Sequence, residues 1–560
     1  MKRSLPLALA TVALGVTYSA SAQRYLTEFF TNAQITVTPN ITYGTNIDFL
    51  TSNLGSPLVP NDITVLQTAV ASGNPIPPEY FNPADGSTAI KVTNVQMDIY
   101  QPDQGVDAVT ARPLVVYLHT GNALPPPLNG SPNGLRTDSC AVEMCSRMAR
   151  RGYVAVSMSY RLGWNPLGAT LDIRTGTLLN AIYRAVQDVR QCVRTLKADA
   201  AGANTYAIDP NKIIVIGEGT GGYIALANAT LDQGSELFID KFIPNPDFPD
   251  VSYVDTLQVG NLAGFNAPFT LYQPNGFDYT TQFCVNMGGA LADDSWLAPG
   301  DAPMVAFHTV FDPFAPFTEG IVIVPTTGEQ VVEVQGSNLF MQLANTYGNN
   351  SSFVNLPSNN PFTNRARSLY GTTQTHGTTN VTINTGTEGL FPLVRPFWPA
   401  PAQEEASPWQ FWDPNGALAQ TVIIPGPPPI TAGQAAQASN PDMSPTKART
   451  YIDTIMGYMN PRIVCALQLG PCSLVGLEEN STIAAGVEVF PNPASDRFTV
   501  TSGEATIQRL EIFDMNGRLM RTVSVNARQA VIAREGLRPG AYLVQLRFAE
   551  GTVMRKLMLD

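Results

Sequence analysis

Histidine is nearly absent from this chain, with only His119, His308 and His376 among 560 residues. The six cysteines (Cys140, Cys145, Cys192, Cys284, Cys465 and Cys472) show no CxxC spacing and no histidine cluster beside them, so a zinc site is not expected. Charged residues are only 14% of the chain, the formal net charge is −12, and no basic stripe occurs. That balance argues against nucleic acid and anionic membrane surfaces as partners. No internal segment reaches the ~20 apolar residues that a membrane-spanning helix needs. There is no P-loop. Gly217, Gly219, Gly221 and Gly222 follow a strand but miss the G-x-G-x-x-G frame, because Gly222 falls where the final glycine belongs. No cofactor is therefore expected.

What is present points to an exported globular protein. Apolar residues make up 44%, while glycine and proline number 45 each, which suggests long ordered loops. Lys2-Arg3, the apolar run LPLALATVALGV and Ala20-Ser21-Ala22 form the three parts of a signal peptide, residues 1–22; a membrane anchor is the alternative. An even cysteine count in an exported chain makes disulfides the default. Cys465 and Cys472 are close enough to clip a short loop, and the other four cannot be paired from sequence.

Residues 478–486 (EENSTIAAG) are polar and unpatterned, and they separate two regions of different character. From Val487 on, alternating runs broken by turn residues recur every 8–12 residues, the pattern of a small antiparallel β-sandwich. Its Pro491-Asn492-Pro493, Asp514-Met515-Asn516-Gly517-Arg518, Leu537-Arg538-Pro539-Gly540-Ala541-Tyr542 and Lys556-Leu557-Met558-Leu559 stretches resemble the C-terminal sorting domain of type IX secretion substrates. The resemblance implies that residues 487–560 engage the type IX machinery, giving a secreted or cell-surface protein; a carbohydrate-binding or adhesive module is the alternative. Residues 23–477 read differently. Apolar strands (Pro113–His119, Tyr153–Tyr160, Lys212–Gly217) alternate with helices near Asp138–Arg151 and over LLNAIYRAVQDVRQCVRTLKADA, which indicates βαβ units and a mostly parallel sheet. AQITVTPNITYG and TNVQMDIYQP would add antiparallel edge strands.

Leu118-His119-Thr120-Gly121, Val156–Gly163 (VSMSYRLG), Arg184–Arg190 (RAVQDVR) and Asp209-Pro210-Asn211-Lys212 lead in order to Gly217-Glu218-Gly219-Thr220-Gly221. Together they resemble the α/β-hydrolase fold, specifically its carboxylesterase-like members. The resemblance implies insertions near 232–301 and 319–375, the first capping the pocket, and a carboxylic-ester hydrolase acting on a small-molecule or polymer ester. It also implies an oxyanion-hole loop at His119–Asn122, with Gly121, Asn122 and Thr220 as amide donors; a plain tight turn is the alternative. Thr120 departs from the usual glycine. Asp312, in the Pro303–Pro313 stretch, matches the acid of a triad, against a bland Asp-Pro turn. His376 is the only histidine downstream of it and would be the base, or else a solvated loop histidine. SSFVNLP would be the last core strand before that loop, and His308 reads as a structural histidine. The tryptophan-rich SPWQFWDP would line the site entrance or sit in the core.

The apex of the strand-to-helix turn is Gly219, where G-x-S-x-G carries its serine. Glycine offers no oxygen or sulfur for nucleophilic attack. Thr220 lies one residue past the apex, and Glu218 one before it. Two functions are therefore open: a secreted ester hydrolase with a non-standard nucleophile, or a non-catalytic protein that binds a ligand in the inherited pocket.

Overall fold

The computed structural model describes residues 24–324, 327–356, 360–399, 405–470, 472, 486–514, 519–548 and 551–560. Residues 1–22, read above as a signal peptide, residues 478–485 of the expected linker and Met515–Arg518 of the tail motif lie outside the described residues. The chain divides into two compact units, Met1–Asn355 with Arg365–Cys472, and Leu356–Asn364 with Ser473–Asp560.

The first unit is built on an eight-stranded sheet in the order β1-β2-β4-β3-β5-β6-β7-β12. The strands are β1 (Ile35–Ile47), β2 (Val92–Pro102), β3 (Arg112–Leu118), β4 (Val154–Met158), β5 (Ile208–Glu218), β6 (Phe283–Met287), β7 (Met304–Thr309) and β12 (Leu390–Leu393). β1 and β2 pair antiparallel, β2 pairs antiparallel with β4, and the rest are parallel. β3, β4, β6 and β7 are buried along their whole length, as parallel strands covered on both faces must be. Between β7 and β12 lie two hairpins, β8 (Glu319–Ile323) with β9 (Gln330–Gln335) and β10 (Thr373–His376) with β11 (Thr379–Thr382).

The main helices are α1 (Val59–Ala71), α2 (Ser139–Arg150), α3 (Leu171–Ala201), α4 (Thr220–Thr230), α5 (Ser337–Thr346) and α6 (Pro445–Ala466). α3 begins seven residues before the expected start, because the Thr170 hydroxyl accepts the Ile173 amide at 3.3 Å and caps it there. Across the core, the Arg161 guanidinium behind β4 donates to Asp188 of α3 at 2.8 Å, and the Tyr272 hydroxyl donates to the same carboxylate at 2.7 Å. Two of the sequence stretches that carried the hydrolase resemblance thus meet in one buried ion pair.

Two expectations change. Phe283–Met287, inside the stretch read as a cap insertion, is the core strand β6, paired between β5 and β7. Ser351–Asn355 form turns, not the last core strand, since Asn350 turns inward to accept the Met304 amide at 2.9 Å. The last core strand is β12, which follows His376 in the chain and pairs with β7 from Leu390↔Ala306 to Leu393↔Thr309.

Cys465 and Cys472 form a disulfide, whereas Cys140, Cys145, Cys192 and Cys284 are unpaired and buried. They sit on α2, α3 and β6 as small apolar core residues. In the second unit a three-stranded sheet (Glu488–Phe490, Arg497–Thr501, Gln529–Ala533) and a four-stranded sheet (Leu519–Ala527, Ile507–Asp514, Gly540–Phe548, Gly551–Leu559) are both antiparallel. They share a core that includes Phe498, Val500, Leu510, Ile512, Val544 and Leu557. No helix of the described residues is long and apolar enough to cross a membrane.

Candidate active-site cavity

The turn between β5 and α4 is a nucleophile elbow in its backbone. Gly219 has φ +53° and ψ −115°, and its amide donates to the Met287 carbonyl on β6 at 2.8 Å. The flanking glycines are demanded by packing. A Cβ on Gly217 would lie 1.9 Å from the Gly221 carbonyl oxygen, and one on Gly221 would lie 2.2 Å from the Leu118 carbonyl oxygen. The helix N-terminus is thereby pressed onto β3 and β5 so closely that no side chain fits between them.

Gly219 differs from its neighbours, because a Cβ there would point at another side chain. It would lie 2.3 Å from Thr120 Oγ1 and 3.1 Å from Thr120 Cβ. Thr120 is the residue that departs from the glycine expected in an oxyanion loop, so two departures that look independent in sequence fit each other in space. The threonine hydroxyl occupies the room that a nucleophile at the apex would need.

The candidate oxyanion donors stand around the same turn. Gly121 has φ +122° and Asn122 φ +55°. The Asn122 amide donates to the Thr220 hydroxyl at 2.7 Å, and Trp164 Nε1 donates to the Asn122 carbonyl at 2.6 Å. The loop is therefore tied to the elbow by its own hydrogen bonds.

Asp312 lies three residues beyond β7. Its Oδ1 accepts the Phe314 and Ala315 amides at 2.8 and 3.0 Å, and its side chain is 2% exposed. Thr120, Gly121, Asn122, Gly219, Thr220 and Asp312 all line one cavity of about 730 Å³. His376 is not among the cavity's lining residues. It ends β10, half-buried, with its ring stacked on Phe397 and edge-on to Phe311.

The other two histidines are engaged. His308 is fully buried, with Nδ1 2.8 Å from Ser337 Oγ and Nε2 3.0 Å from the Ala315 carbonyl. His119 stacks on Tyr160 and its Nδ1 lies 2.6 Å from the Thr120 carbonyl. Burial lowers both imidazoles to about 4, so both are neutral at physiological pH.

Glu218 points away from the cavity into the core. It accepts Tyr117 Oη at 2.8 Å and Trp409 Nε1 at 3.1 Å, and burial raises its pKa. SPWQFWDP divides accordingly: Trp409 is core, while Ser407 and Gln410 line the cavity. Among the described residues no group of three His, Cys, Asp or Glu could hold a metal.

Sequence reading missed the cavity's apolar wall. Leu178, Leu179, Ile182 and Val186 of α3 face it, as do Val322, Val332 and Val334 of the β8–β9 hairpin. The i, i+4, i+8 spacing of the α3 residues was a legible signal of one helix face. Nothing local marked that face as lining a cavity, not packing against the sheet.

Residues 97–273 match the BD-FAE family, and residues 488–560 match the secretion system C-terminal sorting domain. An endo-acting ulvan lyase from Formosa agariphila is 34% identical over 73 residues, 13% of this chain and 14% of that protein. The chain thus spans only about a seventh of that curated relative. Among known structures, propionate-bound esterase 2 of Thermogutta terrifontis is 16% identical, covering 40% of this chain and 70% of its own, with a TM-score of 0.25. MGS-M1, an alpha/beta hydrolase enzyme from a Medee basin deep-sea metagenome library, is 15% identical over 40% and 67%, with a TM-score of 0.23.

Proposed function

For a chain that joins an α/β-hydrolase domain to a type IX sorting domain, and is thereby secreted or displayed at the cell surface, we propose ligand binding without acyl-enzyme turnover. The sorting domain engages the export machinery, and the hydrolase domain holds an ester or related ligand in the elbow cavity.

One observation carries this reading: the Thr120 hydroxyl lies 2.3 Å from where a side chain at position 219 would begin. Acyl transfer needs a nucleophile at that apex within reach of a base. Gly219 supplies none. Thr120 Oγ1 could replace it only with a histidine beside it, and His119, His308 and His376 have their rings packed or bonded elsewhere. Asp312 remains as a polar, backbone-anchored wall of the cavity.

The test is turnover of p-nitrophenyl acetate and butyrate by the mature chain, together with labelling by a fluorophosphonate. The expected result is no hydrolysis above the buffer rate and no label. Hydrolysis that disappears in His376→Ala would overturn the reading and restore an unconventional esterase.

A further inference from the structure

One buried cluster brings together an amine, an amide and a carboxylate. The chain after β12 places Arg395 and Glu405 beside Asn440, in the loop before α6, and Lys447, in the first turn of α6. Glu405 is fully buried, and Asn440 is 3% exposed. Lys447 Nζ donates to Asn440 Oδ1 at 2.5 Å. It also pairs with the Glu405 carboxylate and with that of Asp442, which is half-exposed.

The Asn440 amide is fixed in orientation. Its Nδ2 donates to the Gln410 carbonyl at 3.1 Å and to the Ser407 carbonyl at 3.4 Å, which leaves its own carbonyl facing the amine. Because a C=O bond is about 1.2 Å long, Nζ lies no more than about 3.7 Å from Cγ. A near-attack pair stands at roughly 3–3.5 Å. Asparagine ordinarily loses its side-chain ammonia to the backbone nitrogen of the next residue. Here that residue is Pro441, whose nitrogen carries no proton. Lys447 is the amine placed to attack instead.

Glu405 is placed to move the protons. Arg395 Nε donates to its Oε2 at 2.6 Å and holds the carboxylate still. Oε1 touches Lys447 Nζ outside hydrogen-bonding geometry and accepts no hydrogen bond among the described residues. Out of water, a carboxylate and an ammonium lose the solvation that keeps both charged, which favours passing the proton from Nζ to Oε1.

We propose that Lys447 and Asn440 become joined by an isopeptide bond, with Glu405 carrying the protons. Glu405 takes one proton from the Lys447 ammonium. The free amine attacks Asn440 Cγ, so the Nζ–Cγ bond forms while the carbonyl electron pair moves to Oδ1. Glu405 gives its proton to Nδ2 and accepts the second one from Nζ. The carbonyl re-forms as the Cγ–Nδ2 bond breaks. Ammonia leaves with the Glu405 proton as ammonium, so charge balances and no oxidant or other reactant is consumed. The product ties the start of α6 to the cavity wall that Ser439 and Asn440 line, whatever the cavity binds.

Peptide mass spectrometry on the folded, mature full-length chain tests this. The peptide that contains Asn440 and Lys447 should be one ammonia, about 17 Da, lighter than its sequence mass. Its fragments should place the link between those two side chains, and trypsin should leave the Lys447–Ala448 bond uncut. Lys447→Arg keeps the charge and the ion pairs, so it should fold and show the full mass. Glu405→Gln should also show the full mass, through loss of the proton carrier. A folded parent chain with the full mass in that peptide and ready cleavage after Lys447 overturns the proposal and leaves an ion pair only. Ammonia lost from any other side chain of the peptide overturns it too. A folded Glu405→Gln chain that is still linked overturns the role of Glu405.

Discussion

The elbow glycines and the apex between them sit within five residues of one another, yet they answer to different constraints. Gly217 and Gly221 are held by backbone: carbonyl oxygens lie 1.9 and 2.2 Å from where their Cβ atoms would be. Gly219 has a positive φ, but the atoms that face its missing Cβ belong to a side chain, that of Thr120. The first kind of constraint belongs to the fold, because the helix cannot dock on the sheet without it. The second belongs to chemistry, and it can be exchanged when the chemistry changes. The same division runs through the rest of the site. Asp312 is anchored by two amides of its own turn, whereas the chain after β12 contains no histidine at all.

Substitutions can test that division, beginning where the fold should suffer most. Arg161→Leu strands the fully buried Asp188 carboxylate and should cost about 3–5 kcal/mol, read from urea unfolding of the mature protein. Gly221→Ala should cost about 3 kcal/mol by the same measurement, since the obstructing atoms are backbone and cannot rotate away. If Gly221→Ala proved harmless, the distinction between fold-held and chemistry-held glycines would collapse.

Gly219→Ser should be milder, about 1–3 kcal/mol, from its positive φ and the Thr120 contact. Here a double-mutant cycle is informative. Thr120→Gly combined with Gly219→Ser should recover about 1 kcal/mol of the loss, a coupling that independent sites would not have. Full additivity of the two substitutions would refute the pairing of residues 120 and 219.

A separate effect concerns pH. Asp138 caps the loop that leads from the elbow region into α2, accepting the Gly134 and Leu135 amides at 2.6 and 3.0 Å. Burial raises its carboxyl to about 7, with the Glu218 charge adding to the rise. Unfolded, the group ionises near pH 4, so between about 4 and 7 the folded state holds the extra proton. Stability should therefore fall as pH rises through that window. Asp138→Asn, which keeps the acceptor oxygen, should flatten the decline in melting temperature between pH 4.5 and 7.5. An unchanged slope would mean that the proton is held elsewhere.

Much of this architecture was legible in the linear chain. Pro113–His119, Tyr153–Tyr160 and Lys212–Gly217 are continuous apolar runs, and strands buried on both faces must be. The tail's alternation and turn residues encode two half-buried sheets for an equally local reason. The elbow, too, could be read from its glycines and the strand before them. Where the reading slipped, the deciding partner was distant. Ser351–Leu356 has strand-like residues, but Asn350 turns in to cap β7, and the final strand forms only at Leu390. Phe283–Met287 looked like part of an insertion because its status as a core strand depends on neighbours β5 and β7.

By itself, then, the sequence determined the two-unit organisation, the parallel sheet and the glycine at the apex of the strand-to-helix turn, since each follows from residue type and local periodicity. Only the tertiary structure decided which side chain faces Gly219, where His376 lies and how far the cavity extends. Those depend on residues about 100 to 150 positions apart, Thr120 against Gly219 or α3 against the β8–β9 hairpin, brought together by packing that no local pattern encodes.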